Sequence, residues 1–175
     1  MRTLDLLHIS LADQCLYGFA GGQLVLRLSV STALNGPGEL NGSGCTPRGL
    51  HRVRAKIGEG LPLGAVLRGR RWTGEVWSPD LAVQFPARDW ILTRIIWLSG
   101  CEPGRNRLRE FDTFRRYIYL HGTPDTEPMG IPRSHGCVRL RNADLLALFA
   151  RVPVQCAVQI DEAARPLWAA ASIYS

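Results

Sequence analysis

Residues 117–149 read YIYLHGTPDTEPMGIPRSHGCVRLRNADLLALF, and they bring two histidines, His121 and His135, and one cysteine, Cys137, among glycines. Thiol and imidazole are the side chains of nucleophilic catalysis, in which a thiolate attacks and a histidine takes the proton and later returns it. Cys137 lies in Ser134-His135-Gly136-Cys137-Val138-Arg139, ahead of a predicted helix. A thiol near a helix N-terminus feels the positive end of the macrodipole, and an adjacent His and Arg push the same way, so a stabilised thiolate is expected. Gly136 lets the backbone approach closely, and its N–H with that of Cys137 could line an oxyanion hole. His121 ends a predicted strand, and Gly122 and Pro124 turn the chain back. The intervening residues, 122–133, are enough to fold the imidazole beside the sulfur. A zinc site is the rival reading, with His121, His135 and Cys137 as ligands and His51 or Asp125 as a fourth, although the spacing follows no metal-ligand pattern.

The elements that must position these groups follow from hydrophobic periodicity. Residues 4–10 are mixed apolar. QCLYGF (14–19) and QLVLRLSVST (23–32), joined through Ala-Gly-Gly, read as a β-hairpin. Residues 35–49 are too rich in Gly, Pro and Asn to be anything but loop. LHRVRAKIG (50–58) alternates as a strand, AVLRGRRW and GEVWS suggest strand pieces around a turn, and DWILTRIIWLSG (89–100) reads as a buried strand. Residues 101–116 form a polar loop whose arginines could reach over the site. YIYLHG (117–122) alternates up to the histidine. RNADLLALFARV (141–152) is the clearest helix, with Asn142 as N-cap, Asp144 in the first turn and a stripe of Leu145, Leu148 and Phe149. VPVQCAVQI (152–160) returns as a strand. The prediction is a mostly β chain with one helix late in the sequence.

The 175 residues suit one domain spanning 1–175, and 46% hydrophobic with 21% charged residues is enough to bury a core without metal or disulfide staples. The net charge is +6, and of the 21 basic residues only Lys56 is lysine. Arginine makes bidentate contacts to carboxylates and phosphates, so the excess favours an anionic substrate or polymer; no nucleic-acid-binding signature accompanies it. The five cysteines are an odd number with no CxxC, which argues against a zinc ribbon or a thioredoxin-type motif and suits a reducing compartment; Cys15 and Cys156 fall in apolar alternating runs as core residues. Asp5 and His8 interrupt the opening apolar stretch, so no secretory signal is read and a cytoplasmic location is expected; a leader missing from the sequence would instead place the protein in the periplasm or cell wall. No segment is long and apolar enough to span a membrane as a helix.

His121-Gly122-Thr123 followed by Ser134-His135-Gly136-Cys137-Val138-Arg139-Leu140, with Asn142 and Asp144 beyond, resembles the L,D-transpeptidase (YkuD-type) catalytic domain. The hairpin, the CTPRG turn (45–49) and the closing strand resemble that family's elements in the same order, so the likeness covers nearly the whole chain; residues 59–116 match least. The resemblance implies a YkuD-like β-sandwich with mixed sheets and a helix following the catalytic cysteine. It implies Cys137 as nucleophile, His121 as general base and peptidoglycan stem peptides as partners, with no cofactor. Cys137 would attack the carbonyl of the diamino acid at position three, before D-Ala. A backbone carbonyl or a neighbouring hydroxyl would orient His121, and with Gly122 as the next residue the carbonyl is the expected one. Among substrate-binding residues, His135 would shape the pocket, Arg139 would hold a substrate carboxylate or brace the loop, and Ser134, Gly122 and Gly136 would form the site's backbone frame. An amine acceptor would make the enzyme a transpeptidase, water an L,D-carboxypeptidase of wall recycling, and loss of catalysis a peptidoglycan-binding module. A carbapenem is expected to acylate Cys137.

Overall fold

Gly21 and Gly22, at φ 59° and 76°, supply the left-handed backbone that reverses the chain between β2 (Cys15–Ala20) and β3 (Gln23–Ser29). This is the hairpin expected from the sequence, and it opens one mixed sheet in a computed structural model that describes residues 2–164. β1 (Leu6–Ser10) lies antiparallel to β2 and parallel to β10 (Ala157–Asp161), which pairs antiparallel with β4 (Gly49–Ile57). β4 pairs in turn with the last half of β7 (Ile91–Gly100). The start of β7 carries the hairpin of β5 (Ala65–Arg68) and β6 (Arg71–Val76), so strands do form over AVLRGRRW and GEVWS, but the chain reverses at Gly69-Arg70 inside the first piece and not between the two.

The site rests on what happens along the other edge of β7. There β8 (Tyr119–Gly122) pairs antiparallel with it, and β9 (Val138–Leu140) adds to β8 in parallel. Past the end of β3, Ser31 and Arg139 exchange backbone hydrogen bonds at 3.0 and 2.9 Å, so β9 is also tied to the opening hairpin. The sheet thus wraps around a core of Leu7, Ile9, Leu16, Val53, Ile96 and Leu120.

The helix α2 (Asn142–Arg151) lays Leu145, Leu148 and Phe149 into that core, as its stripe predicts. Its cap differs from the expectation. Arg141 holds the N-cap position with no side-chain hydrogen bond, and Asn142 is the first helical residue with its side chain buried. A second helix, α1 (Pro79–Gln84), was not foreseen; Ser78 caps it by accepting from the Leu81 N–H at 3.2 Å. No helix among the described residues is long and apolar enough to cross a membrane.

Candidate active site

Side chains alternate across a strand, and the register of β8 with β9 sets the two faces. Leu120 pairs with Val138 and Gly122 with Leu140, and the leucines and valine of these pairs enter the core. His121 pairs with Arg139, and Tyr119 stands one step before Leu120 just as Cys137 stands one step before Val138. Cys137 and His121 therefore project from the same outer face on adjacent strands, at diagonal positions. Around them lies a second apolar cluster of Leu67, Ile95 and Tyr119, bordered by Ile91, Trp97 and Cys137 itself.

Cys137 is half-buried. Its Sγ accepts the Tyr119 N–H at 3.3 Å and lies 3.4 Å from the Tyr117 carbonyl, to which the thiol donates. Burial pushes the thiol pKa up to about 12; Asp89 adds to this, while the Tyr119 N–H, Arg139 and Arg116 act against it. The stabilised thiolate expected from the helix dipole is therefore not what the surroundings favour. β9 stands between Cys137 and α2, and the dipole's influence fades within the first turn.

His121 is 1% exposed, and its Nδ1 lies 2.8 Å from the Gly122 carbonyl. A carbonyl oxygen can only accept, so Nδ1 carries the proton and Nε2 keeps its lone pair. Burial lowers the pKa of His121, with the Gly122 hydrogen bond and Asp89 opposing the shift. The ring is thereby neutral and basic at Nε2. The carbonyl that orients it, not identifiable from sequence, is that of Gly122 in the neighbouring peptide unit.

Gly122 has no room for a side chain: a Cβ would run into Asn142 Oδ1 and lie 2.7 Å from the Leu92 carbonyl oxygen. Asn142 accepts from Thr93 Oγ1 at 2.6 Å and donates to the Thr123 carbonyl at 2.9 Å, so it locks β7, β8 and α2 together beside Gly122. Ser134 donates to the Cys137 carbonyl at 2.5 Å and accepts the Gly136 N–H at 3.2 Å. That bond removes the Gly136 N–H from the oxyanion hole expected for it and leaves the Cys137 N–H, which has no hydrogen-bond partner among the described residues, as the donor beside the sulfur. Gly136 is required for other reasons. Its φ is 131°, and a Cβ there would sit 3.2 Å from the Cys45 carbonyl oxygen. Thr46 of the CTPRG turn fastens the loop by donating to the Gly136 carbonyl at 3.0 Å.

Arg139 is buried and spends its guanidinium on its own chain, with Asp89 Oδ1 at 2.9 Å and Glu127 Oε2 at 3.5 Å. Of the two roles expected for it, bracing is the one these contacts perform. His135 is exposed, with Nδ1 3.9 Å from Asp89 Oδ2. His135, Arg139, Asp89 and Thr123 line a cavity of about 220 Å³, and Asp89 also lines a neighbouring one of about 410 Å³ with Leu67 and Phe85. From the arginine-rich segment, Arg116 turns inward and donates to the carbonyls of Glu39 at 2.8 Å and Cys45 at 2.6 Å. Among the described residues no three His, Cys, Asp or Glu side chains converge to hold a metal ion. Asp89, Thr93 and Tyr119 escaped the sequence reading because nothing local marks them.

The family model of the L,D-transpeptidase catalytic domain, YkuD, matches residues 5–160. Over 48 residues, 27% of this chain and 16% of the relative, the chain is 52% identical to the probable L,D-transpeptidase YbiS of Escherichia coli. Among solved structures, an L,D-transpeptidase of Xylanimonas cellulosilytica superposes with a TM-score of 0.53 at 19% identity, covering 92% of this chain and 62% of that one. An L,D-transpeptidase from Mycobacterium smegmatis gives 0.55 at 14% identity, covering 89% and 58%. The L,D-transpeptidase LdtMt1 in complex with imipenem gives 0.54 at 14%, again covering 89% and 58%. These likenesses show the fold. The chain spans less than two thirds of each of these relatives.

Proposed function

The chain belongs to the L,D-transpeptidase catalytic domain family, YkuD, and from that premise we propose that it performs cysteine-dependent acyl transfer on peptidoglycan stem peptides. His121 Nε2 takes the thiol proton as Cys137 Sγ attacks the carbonyl of the third stem residue. The Cys137 N–H faces the oxygen on which negative charge develops. The bond to D-Ala then breaks, and the imidazolium returns its proton to the leaving amine. The thioester so formed is attacked by an acceptor amine, which gives its proton to His121 as the thiol is restored. Gly122 holds the tautomer, Ser134 and Gly136 shape the loop, and His135 and Arg139 border the cavity that receives the peptide. The observation that carries this reading is the placement of Cys137 and His121 on one face, with Nε2 left basic by the Nδ1 bond to Gly122. A thiol activated in this way would also open the ring of a carbapenem.

The test is product analysis by mass spectrometry after incubating purified disaccharide-tetrapeptide with the protein, with Cys137→Ala as control. Cross-linked dimers, or exchange of an added D-amino acid into position four, identify an amine acceptor and a transpeptidase. Loss of D-Ala without dimers identifies water and an L,D-carboxypeptidase. An unchanged tetrapeptide, or equal activity in Cys137→Ala, overturns the proposal.

A further inference from the structure

On the aromatic wall that borders Cys137, Arg70 has an oriented guanidinium and no carboxylate partner among the described residues; Arg116 also lacks a carboxylate, but its guanidinium is given to the carbonyls of Gly38, Glu39 and Cys45. Arg70 sits at the tip of the β5–β6 hairpin at φ 65°, a left-handed position that suits Gly or Asn far better than a long side chain. Its guanidinium lies over the rings of Trp97, at 5.0 Å, and Tyr117, at 4.8 Å, and donates to the Tyr119 hydroxyl at 3.4 Å. Trp97 is itself held by stacking on Phe114, with ring centroids 3.9 Å apart. The backbone of the same two tyrosines holds the Cys137 sulfur. The cation is thus fixed on an aromatic shelf that continues into the nucleophile's pocket. By contrast, Arg139 spends its charge on Asp89 and Glu127, and Arg88 on Glu75.

We infer that Arg70 and its aromatic shelf form a subsite for a carboxylate carried on the side chain of the acyl donor. This rests on the proposed stem-peptide reading. Two rings lie against the guanidinium and one Nη1–H goes to the Tyr119 hydroxyl, while its other N–H groups have no hydrogen-bond partner among the described residues and can make a bidentate, charge-assisted contact. A carboxylate on the scissile residue's side chain would be gripped there while Cys137 reaches that residue's carbonyl. The site would therefore distinguish a diamino acid whose side chain ends in an amine and a carboxylate from one that ends in an amine alone.

The experiment compares kcat/KM for two muropeptide tetrapeptides that differ only at position three, diaminopimelate in one and lysine in the other. The wild type is expected to favour the first by about 10- to 100-fold, the worth of a charge-assisted pair in a partly desolvated site. Arg70→Gln should bring that ratio close to one, chiefly by raising KM for the diaminopimelate substrate, and Arg70→Lys should recover part of it. Tyr119→Phe, which removes the hydroxyl that orients Arg70, should lower the ratio in the same direction. A merely structural Arg70 would lower both kcat/KM values and leave the ratio unchanged, which would overturn the inference, as would a wild type that turns over both substrates equally. Turnover of neither substrate by the wild type would overturn the stem-peptide reading itself, and the inference with it.

Discussion

If burial holds the Cys137 thiol at about 12, against an ordinary value of 9.0, the resting enzyme keeps a neutral thiol beside a neutral His121. At pH 8 an ordinary thiol is about one-tenth ionised, whereas at about 12 the fraction is on the order of 10⁻⁴, a roughly thousandfold deficit. A more basic thiolate is also more nucleophilic, with a Brønsted coefficient of about 0.4–0.5, which restores about 15- to 30-fold. A small neutral disulfide should therefore modify Cys137 about 30- to 60-fold more slowly than a short peptide thiol at pH 8. The rate should climb with pH and show no plateau below about pH 11. All five cysteines are free, so the assay is digestion and mass spectrometry, following the Cys137 peptide by itself. A plateau centred at or below pH 7 would mean a thiolate–imidazolium pair in the free enzyme. The argument that His121 must withdraw the proton during attack would then be refuted.

Two further predictions concern the frame. His51 is fully buried, with Nδ1 donating to the Gly49 carbonyl at 3.0 Å, and burial lowers its pKa from 6.5 to about 4. The unfolded chain binds a proton between those values and the folded chain does not, so this contribution is complete above about pH 6.5 and is lost as pH falls toward 4. Urea unfolding should show the wild type losing ~2 kcal/mol more than His51→Asn between pH 8 and pH 5; parallel pH profiles would contradict the buried neutral imidazole. Gly122→Ala should cost about 1–3 kcal/mol of stability through the collision with Asn142 and the Leu92 carbonyl. By shifting the acceptor of His121 Nδ1 it should also lower kcat by on the order of 10²-fold. A variant with wild-type kcat would contradict the orienting role of that peptide unit.

β3, β4 and β8 were legible because their sequences alternate, β7 because its run is apolar and β-branched, and the β2–β3 hairpin because paired glycines mark the reversal; β1 read only as mixed apolar, and the three residues of β9 were too few to read. The residue types around Cys137 were legible for the same local reason: His, Gly and Cys in close spacing announce chemistry. What the sequence could not show was long-range. Asn142 has the type and place of an N-cap, yet its side chain turns inward to Thr93, a residue 49 positions earlier. The helix-dipole argument for Cys137 failed because the three residues of β9 intervene before α2. The oxyanion role given to the Gly136 N–H failed because Ser134 Oγ, two residues away, claims it. Arg139 was read as able to grip a substrate carboxylate, and its partners Asp89 and Glu127 arrive from loops that carry no periodic signal. α1 did carry a cap signal in Ser78-Pro79-Asp80, but six residues are too few to show a helical stripe.

The most direct measurement is mass spectrometry of the wild-type protein quenched in acid during turnover of disaccharide-tetrapeptide, followed by digestion. The account predicts a mass increase equal to the donor minus D-Ala, carried by the peptide that contains Cys137, strongly reduced in His121→Gln and absent in Cys137→Ala. Turnover with no adduct on Cys137, or an adduct that persists on another residue in Cys137→Ala, would contradict it.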